Sequence, residues 1–487
     1  MRWKYVLCII GALVACVGMT MIFPLAWGLY YRDGSAHPLA LSMIITIVTG
    51  ALLFFAFRDS ESSKASSVIT HREGMAIVAL GWFAAGFAGG LPFYVGGVFE
   101  SVVDCVFESL SGFSTTGSSV LTDIEAVPRG LLFWRSLTHW LGGMGIIVLS
   151  LAILPFLGIG GMQLYKAEVP GPTPDKLKPR IKDTAMTLWK VYLLFSAAET
   201  ALLLIGGMDL FDALCHTFGT MATGGFSTRN ASVAAYDSAY IDYVITVFML
   251  IAGINFSLHY IALKGRPLVM LKDPEFRVFA FMITIFIVIV TIAVYTGGNY
   301  DNVADSVRYT AFQVASILTT TGFATADYEL WPGLTQAILL FCMFVGGCAG
   351  STGGGMKVMR ITLLCKQSYQ ELFHLIHPRS VSHVKMGRTV IKNDVLSGVW
   401  GFFILWIGLF VLAAFVVSAT GVDVVTSFAA SLACIGNIGP GIGGVGPTEN
   451  FAWLPDTAKW VLTFCMVLGR LEIYTVIILF VPEFWRK

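Results

Sequence analysis

One pattern occurs four times along the sequence: a long apolar segment, a short apolar segment, a glycine-containing loop and a second long apolar segment. A membrane-spanning helix needs about 20 mostly apolar residues, so the long segments can cross a bilayer and the short ones cannot. The copies hardly match in sequence outside the loops. The pattern therefore predicts four repeats of one structural unit, related by arrangement rather than by identical residues.

The segment bounds give the domain organisation. The long segments are predicted at 74–97 and 129–159, 184–207 and 238–263, 277–297 and 333–365, and 395–419 and 456–481. The short segments are 101–113, 210–221, 304–318 and 422–435. Two more apolar segments, 5–31 and 38–57, precede the repeats, which makes ten spanning helices and four re-entrant ones. We divide the chain into 1–70 (two N-terminal helices), 71–160 (repeat 1), 161–265 (repeat 2), 266–385 (repeat 3, with a broken second helix) and 386–487 (repeat 4).

The charge content agrees with a polytopic membrane protein. Only 13% of the 487 residues are charged and 56% are hydrophobic, whereas about 25% of a soluble protein is charged. With a net charge of +1, the chain lacks the basic face of a nucleic-acid binder, and it has too few charges to cover a soluble enzyme. Its nine cysteines show no C-x-x-C pair, so we interpret them as packing thiols.

The distribution of basic residues predicts the orientation. Each repeat contains an even number of spans, so the four loops must share one face. Six of the 31 Lys and Arg residues lie on that face, and the others, apart from Arg470 within a helix, lie on the side of the termini. The positive-inside rule therefore predicts that both termini are cytoplasmic and that the loops face outward.

The four loops have a composition suited to binding a cation. Loop 1 is 114–119 (S-T-T-G-S-S), loop 2 is 223–227 (T-G-G-F-S), loop 3 is 320–324 (T-T-G-F-A) and loop 4 is 437–441 (N-I-G-P-G). Irregular backbone at membrane depth must be covered by protein or line a water-filled path. If the loops converge on one axis, their carbonyl groups can replace the hydration shell of an ion, and the preceding short helices direct their negative ends towards it. Ordinary turns between helices are the alternative, which four copies disfavour. The prediction is an all-α membrane protein with four pseudo-symmetric repeats around one pore and two extra N-terminal helices.

The loops, with one alignable glycine each, resemble those of the Trk/Ktr/HKT superfamily of cation transporters, and the two additional N-terminal helices point to its TrkH/TrkG branch. The resemblance implies a potassium filter formed by Thr115, Thr116, Gly117, Thr223, Gly224, Gly225, Thr320, Thr321, Gly322, Asn437, Ile438 and Gly439. In that family, glycine at every filter position accompanies potassium preference, and serine in the first repeat accompanies sodium transport, so Gly117 implies potassium. Loop 4 departs most from the pattern, because Asn437 and Ile438 stand where the others have Thr or Gly.

A run of six glycines in ten residues, G-G-C-A-G-S-T-G-G-G at 346–355, interrupts the long segment after loop 3. We call it the glycine-rich segment. A phosphate-binding loop is excluded because Met356 separates Gly355 from Lys357 and no strand precedes it. Close helix packing through small residues is one alternative. The resemblance implies an intramembrane gate, with the candidate residues Gly346, Gly347, Gly350, Gly353, Gly354 and Gly355.

Arg470 lies within the last apolar segment, where a charge costs about 2.5–3.5 kcal/mol on insertion scales. It could form a structural ion pair with Glu472 or Glu199. The resemblance instead implies that it contacts the gate.

These observations predict the ion-conducting subunit of a Trk-type potassium uptake system. Potassium is expected to be the substrate, to bind only at the filter residues, and to be concentrated there by the outer acids Asp104, Glu108, Asp212, Asp305 and Asp423. The expected setting is a bacterial inner membrane, with a homodimer, a cytosolic TrkA-like nucleotide-binding subunit, and no covalent cofactor or nucleic acid. A sodium-permeable or proton-coupled symporter on the same scaffold is the first alternative. An integral-membrane lipid-modifying enzyme is the second, although the sequence shows no clustered catalytic residues.

Overall fold

The chain is described by a computed structural model that covers residues 1–58, 70–152, 181–380, 382–387 and 389–486. The far end of the helix predicted at 129–159 and the boundary predicted between repeats 1 and 2 at residue 160 lie outside the described residues. Two helical units open the chain. The first runs through Trp3–Thr20 and Ile22–Tyr31 with a junction at Met21, and the second is Ala36–Ala56.

The four repeats follow in the predicted order. Their first long helices are His71–Val95, Ile181–Ile205, Pro274–Thr296 and Asn393–Ala419. The short helices, which we number 1 to 4 with the repeats, are Val102–Phe113, Leu210–Met221, Val303–Leu318 and Val424–Ile435. Each short helix begins at a polar N-cap residue whose side chain accepts a backbone N–H of the first turn; these residues are Ser101, Asp209, Asn302 and Asp423. The caps explain why all four short helices start at a sharply defined residue.

The second helices differ from one repeat to the next. The first is Arg129–Ala152 within the described residues, and the third is broken as predicted, into Gly333–Phe344 and Val358–Ile376. The prediction of unbroken helices in repeats 2 and 4 is wrong. Repeat 2 has Ala239–Ala252 and Phe256–Leu263 at an angle of 103°, and repeat 4 has Asp456–Arg470 followed by Tyr474–Ile477 and Ile478–Phe480 at 113°.

Each unexpected break has a local cause. In repeat 2, Gly253 ends the first piece and the Asn255 side chain caps the second by accepting the N–H of Ser257. In repeat 4, Glu472 and Ile473 have positive φ values of 57° and 48°, which end the helix directly after Arg470. Arg470 therefore lies at a helix C-terminus rather than in mid-helix, and the helix dipole favours its charge there.

The described residues form a multi-pass membrane protein. Six of their helices are long and apolar enough to span a bilayer, or eight if each bent pair counts as one span. The remaining elements are short: the helices Leu268–Lys272 and Pro482–Trp485, the 3₁₀ turns Ser232–Tyr236 and Tyr328–Leu330, and an antiparallel pair of strands, Lys385–Met386 with Thr389–Val390. The short helices 1 to 4 are largely buried, so the centre of the bundle is formed by the ends of these helices and the four loops.

Candidate functional site

The four loops have the same backbone conformation. The residue two positions before each aligned glycine has a positive φ: 52° at Thr115, 55° at Thr223, 60° at Thr320 and 53° at Asn437. The glycines themselves have φ values of 84° at Gly117, 78° at Gly225, 84° at Gly322 and 102° at Gly439. A β-branched residue with positive φ is rare and persists only where its surroundings fix it. The sequence predicted the glycine conformation, but it gave no indication of three strained threonines.

The four aligned glycines form a closed ring, which we call the glycine ring. Each lies against the carbonyl oxygen of the residue before the next glycine. A Cβ atom on Gly117 would be 2.0 Å from the Gly224 oxygen, and one on Gly225 would be 2.1 Å from the Thr321 oxygen. In the same way Gly322 faces the Ile438 oxygen at 2.1 Å, and Gly439 faces the Thr116 oxygen at 2.9 Å. The predicted convergence of the loops is therefore present, and no side chain fits between them without a shift.

Four more predicted filter residues supply the carbonyl oxygens that face the ring glycines: Thr116, Gly224, Thr321 and Ile438. Gly224 must be glycine for a second reason, because the buried His139 ring stands behind it and a Cβ there would be 1.6 Å from Nδ1. Asn437 Nδ2 donates to Thr116 Oγ1 at 2.9 Å and to the Met466 carbonyl at 2.8 Å. The amide that distinguishes loop 4 therefore links it to loop 1 and to the last long helix.

The glycine-rich segment lies directly below the loops. The Gly354 N–H donates to Thr320 Oγ1 at 2.7 Å, and Thr352 Oγ1 donates to the Met221 carbonyl at the end of short helix 2 at 3.0 Å. A Cβ on Gly354 would be 2.6 Å from the Gly436 oxygen beside loop 4, and Gly353 faces the Thr319 oxygen at 3.1 Å. The segment thus contacts the bases of three loops.

The ends of the segment are joined to each other and to the helix break of repeat 2. Gly346 donates to the Met356 carbonyl at 2.8 Å, and Gly355 packs against Gly346. Beside Gly347, the Cys348 N–H donates to the Gly253 carbonyl at 2.8 Å, and the Phe256 N–H donates to the Gly350 carbonyl at 3.1 Å. These bonds satisfy backbone groups that the bent helix leaves free, so the six candidate glycines form one compact body.

Sequence reasoning missed a carboxylate that holds this body. Glu275, in the first turn of Pro274–Thr296, is buried, and its Oε1 accepts the N–H groups of Ala349 at 2.8 Å and Met359 at 3.0 Å. The one available signal was an acidic residue at the start of an otherwise apolar helix, and helix starts commonly carry such residues.

Arg470 contacts the glycine-rich segment rather than an acid. Its guanidinium donates to the Thr352 carbonyl at 2.6 Å and to the Gly142 carbonyl at 3.3 Å. In the described part of the chain, neither Glu199 nor Glu472 lies within 4 Å of it; Glu472 pairs with Arg360 at 2.6 Å instead. The alternative of a structural ion pair at Arg470 is therefore wrong.

The outer acids have partners that their sequence positions did not reveal. Glu108 pairs with Arg135, and Asp104 pairs with Lys459, both at 2.6 Å. Asp212 binds Arg229 and the Thr228 hydroxyl, Asp305 accepts from Asn302, and Asp423 caps short helix 4. Four of the five lie in the first turn or at the N-cap of a short helix, where the dipole stabilises a negative charge. These acids stabilise the short helices and loops, and the structure gives none of them as a free group at the ring.

A cleft opens above the glycine ring and is lined by all four of its glycines. The loop residues Asn230 and Glu449 lie at its edge. The Asn230 amide donates to Asp123 Oδ1 at 2.8 Å, and this hydrogen bond holds the pKa of Asp123 below its usual range. An ionised carboxylate therefore lies near the opening of the cleft. An ion in the cleft would contact the glycine ring directly.

Known proteins are similar to this chain over most or all of its length. Residues 38–487 match the model of the TrkH family, described as cation transport proteins. The chain is 42% identical to the Trk system potassium uptake protein TrkH of Salmonella typhimurium, with both chains covered completely, and 36% identical to TrkG of Escherichia coli, with 98% of this chain and 97% of the relative covered. It superposes on the crystal structure of the potassium transporter TrkH from Vibrio parahaemolyticus with a TM-score of 0.91 and 40% identity over both complete chains.

Proposed function

The chain belongs to the TrkH family of cation transport proteins, and from that premise we propose that it is the ion-conducting membrane subunit of a potassium uptake system. The observation that carries the proposal is the glycine ring. Four loops from four repeats meet around one centre, and each presents a carbonyl group and a strained threonine or asparagine beside a glycine. Backbone carbonyls arranged in this way can replace the water of a potassium ion.

The ion path begins in the outer cleft. Potassium sheds water at the filter, formed by the twelve residues that the sequence analysis names in loops 1 to 4. Short helices 1 to 4 end at these loops, so their negative C-terminal ends support the ion. The absence of a side chain at each ring position leaves the backbone as the principal ligand.

The glycine-rich segment closes the path below the filter. It rests on loops 2, 3 and 4 and is held by Arg470, whose positive charge also raises the barrier to a cation. Ions pass when the segment moves aside and the bonds of Thr352 to Met221 and to Arg470 break. Glycines permit that movement because their backbone adopts many conformations at low cost.

The proposed setting is the inner membrane of a bacterium, with both termini in the cytoplasm. The excess of Lys and Arg on the side of the termini supports this orientation. A homodimer and a cytosolic nucleotide-binding subunit of the TrkA kind complete the proposed system. The basic stretch 360–392 on the cytoplasmic side supports docking of such a subunit.

Rescue of a potassium-uptake-deficient bacterium on low-potassium medium tests the proposal, together with rubidium uptake by proteoliposomes. Growth and rubidium uptake that depend on the protein are expected. A purified, monodisperse protein that carries no cation under any condition would contradict it.

Loop 4 favours a second candidate, a sodium-permeable transporter on the same scaffold. Asn437 Nδ2 donates to Thr116 and to the Met466 carbonyl, so the amide nitrogen is committed to the protein. One quarter of the filter then differs from the rest, and sodium flux measured beside rubidium flux in the same proteoliposomes distinguishes the two candidates. The relatives bear the names of uptake proteins and not of enzymes, which removes the support for a lipid-modifying enzyme.

A further inference from the structure

One buried ion pair lies between the first two loops. Arg135 Nε is 2.6 Å from Glu108 Oε1, and the side chains are 3% and 0% exposed. Glu108 is in short helix 1, and Arg135 is in the second helix of the same repeat. Such a pair adds little net stability compared with apolar residues of the same size, because both charges must leave water. The role of the pair therefore depends on which segments of the chain its two side chains bind.

The acid holds loop 1 and the segment after it. Glu108 Oε1 accepts the Ser119 hydroxyl at 2.9 Å, and Oε2 accepts the Val120 N–H at 2.9 Å. The two bonds fix the chain two and three residues after Gly117. All of these donors reach the Glu108 carboxylate only when loop 1 occupies one position.

The base holds loop 2. Arg135 donates to the Ser227 carbonyl at 2.9 Å, and its guanidinium carbon lies 3.5 Å from the centre of the Phe226 ring. Phe226 and Ser227 directly follow Gly225 of the glycine ring. The ion pair is therefore a continuous link from the chain after Gly117 to the chain after Gly225.

Corresponding positions in the other repeats carry weaker links. The residue nine positions before each ring glycine is Glu108, His216, Gln313 or Ala430. His216 Nε2 bonds Ser227 Oγ at 3.0 Å, and Gln313 donates to the Ala326 carbonyl at 3.2 Å. Among the described residues at this position, only the one in repeat 1 is an ionised acid. It alone pairs with a side chain that contacts a second loop.

The pair also controls charge at the entrance. Arg135 lines the outer cleft beside Gly117 and Gly225. Without Glu108 its charge would be uncompensated in a dry site next to the ion path, and it would repel an entering cation.

We propose that Glu108 and Arg135 are positioning residues for the filter: their ion pair fixes loop 1 against loop 2 and thereby sets discrimination of potassium from sodium. The inference rests on the proposed function and extends it. Neither side chain is assigned to ion binding. The pair acts through the two loop backbones whose separation determines the size of the ring.

Proteoliposomes that contain the full chain test this role. The measured quantity is the ratio of rubidium to sodium flux for wild type, Glu108→Gln, Arg135→Gln and the double variant. We expect each single variant to lower the ratio by roughly tenfold, and the double variant to lower it by a similar factor, because one link is broken in every case. Two residues that act independently would give factors that multiply.

Two more variants keep the test informative. Asp104→Asn removes an equally short ion pair, Asp104–Lys459, from the first turn of the same short helix without touching a loop, and it should leave the ratio unchanged. Ser119→Ala removes one bond to Glu108 and leaves both charges in place, so it should lower the ratio by about twofold even if the charge variants do not fold.

The outcomes distinguish a failure of the proposed function from a failure of the positioning role. Wild-type vesicles without rubidium uptake would contradict the proposed function and this inference with it. Wild-type uptake combined with an unchanged flux ratio in Glu108→Gln and Ser119→Ala would overturn the positioning role alone. An equal loss in Asp104→Asn would also overturn it, because the effect would then belong to any ion pair of this helix.

Discussion

Hydroxyl groups at the ends of short helices 1 and 3 support loops 1 and 3, whereas loops 2 and 4 lack these hydroxyl bonds and receive side-chain contacts from other repeats. In repeat 1, Ser111 donates to the Ser118 carbonyl at 2.6 Å, and in repeat 3 Ser316 donates to the Phe323 carbonyl at 2.7 Å. Both are six residues before a ring glycine, and the matching residues in repeats 2 and 4 are Gly219 and Ala433, which have no side-chain donor.

A second pair of hydroxyls follows the same division. Ser114 bonds Thr116 at 2.7 Å in loop 1, and Thr319 bonds Thr321 at 2.8 Å at loop 3. Ala222 and Gly436 occupy the matching positions in the other two repeats, which therefore lack this bond as well.

Side chains of other repeats contact loops 2 and 4. Arg135 of repeat 1 donates to the Ser227 carbonyl of loop 2 at 2.9 Å, in addition to the bond from His216 of short helix 2 to Ser227 Oγ. In loop 4, Tyr328 Oη donates to the Gly441 carbonyl at 2.6 Å, and Ser118 donates to the Gly439 carbonyl at 3.0 Å. The backbone is fourfold and its side-chain support is twofold. The ring can therefore keep fourfold geometry while two opposite loops are supported by side chains of other repeats.

Gly117→Ser tests the ring itself and has the largest expected effect. The new Cβ would lie 2.0 Å from the Gly224 oxygen. Loop 1, which hydroxyl groups of its own repeat support, would therefore have to push loop 2 outward. We expect sodium flux relative to rubidium flux to rise by roughly tenfold in proteoliposomes, with folding retained, because a wider ring fits potassium less selectively.

Gly34→Ser is the matched control for this substitution. Gly34 has a φ of 85°, almost the value at Gly117, and no atom within 4 Å of the position of a Cβ. It reproduces the backbone strain of a serine with positive φ without the contact to a carbonyl group. An unchanged ion preference in Gly117→Ser would count against the filter assignment.

Arg470→Ala tests whether repeats 2 and 4 also carry the gate. Arg470 of repeat 4 binds the Thr352 carbonyl, and Thr352 Oγ1 binds Met221 of repeat 2, so the glycine-rich segment connects the two. Loss of the guanidinium removes one hold on the segment and one cation from the path. We expect rubidium flux to rise by roughly threefold to tenfold at unchanged expression.

The control is Arg308→Ala, which removes a 2.6 Å ion pair with Asp242 in the first turn of Ala239–Ala252 and should leave flux unchanged. Slower or equal flux in Arg470→Ala, with normal expression, would remove the arginine from the gate.

The sequence predicted the repeat because hydropathy and glycine positions are local properties. Short helices 1 to 4 lie within a few residues of their predicted bounds, and the ring forms where Gly117, Gly225, Gly322 and Gly439 align. The breaks after Ala252 and Arg470 were missed because apolar composition continues through them, while their causes are Gly253 with the Asn255 cap in repeat 2 and a reversal of φ at Glu472 in repeat 4. Hydropathy cannot register either.

The partners of charged residues were the least predictable part. Glu108 and Arg135 are 27 positions apart, and Glu275 meets residues more than 70 positions away. From the sequence all outer acids were expected to attract ions. Only the fold shows which acid has an arginine beside it, since a repeat fixes where a helix lies and not which long side chains meet.

Tyr328→Phe tests the external support of loop 4. It leaves the buried Gly441 carbonyl without its phenol donor, and a lost buried partner costs about 1–3 kcal/mol. We expect the rubidium-to-sodium flux ratio to fall by roughly threefold. Tyr240→Phe is the control, because Tyr240 also donates to a backbone carbonyl, that of Leu202, but at the exposed edge of the bundle. Equal effects of the two substitutions would show that loop 4 does not depend on Tyr328.

Ser111→Ala and Ser316→Ala test the internal support of loops 1 and 3, and they have the smallest expected effect. Each removes one hydroxyl bond to a loop carbonyl of nearly the same length, so the two variants should lower the flux ratio by the same factor, about twofold. Ser431→Ala is the control, since the buried Ser431 hydroxyl has no partner among the described residues and its loss should be neutral. The flux ratios of Ser111→Ala and Ser316→Ala should not differ by more than the change that Ser431→Ala causes. A larger difference would mean that loops 1 and 3 are not equivalent. The twofold pattern of hydrogen bonds would then have no consequence for the ion.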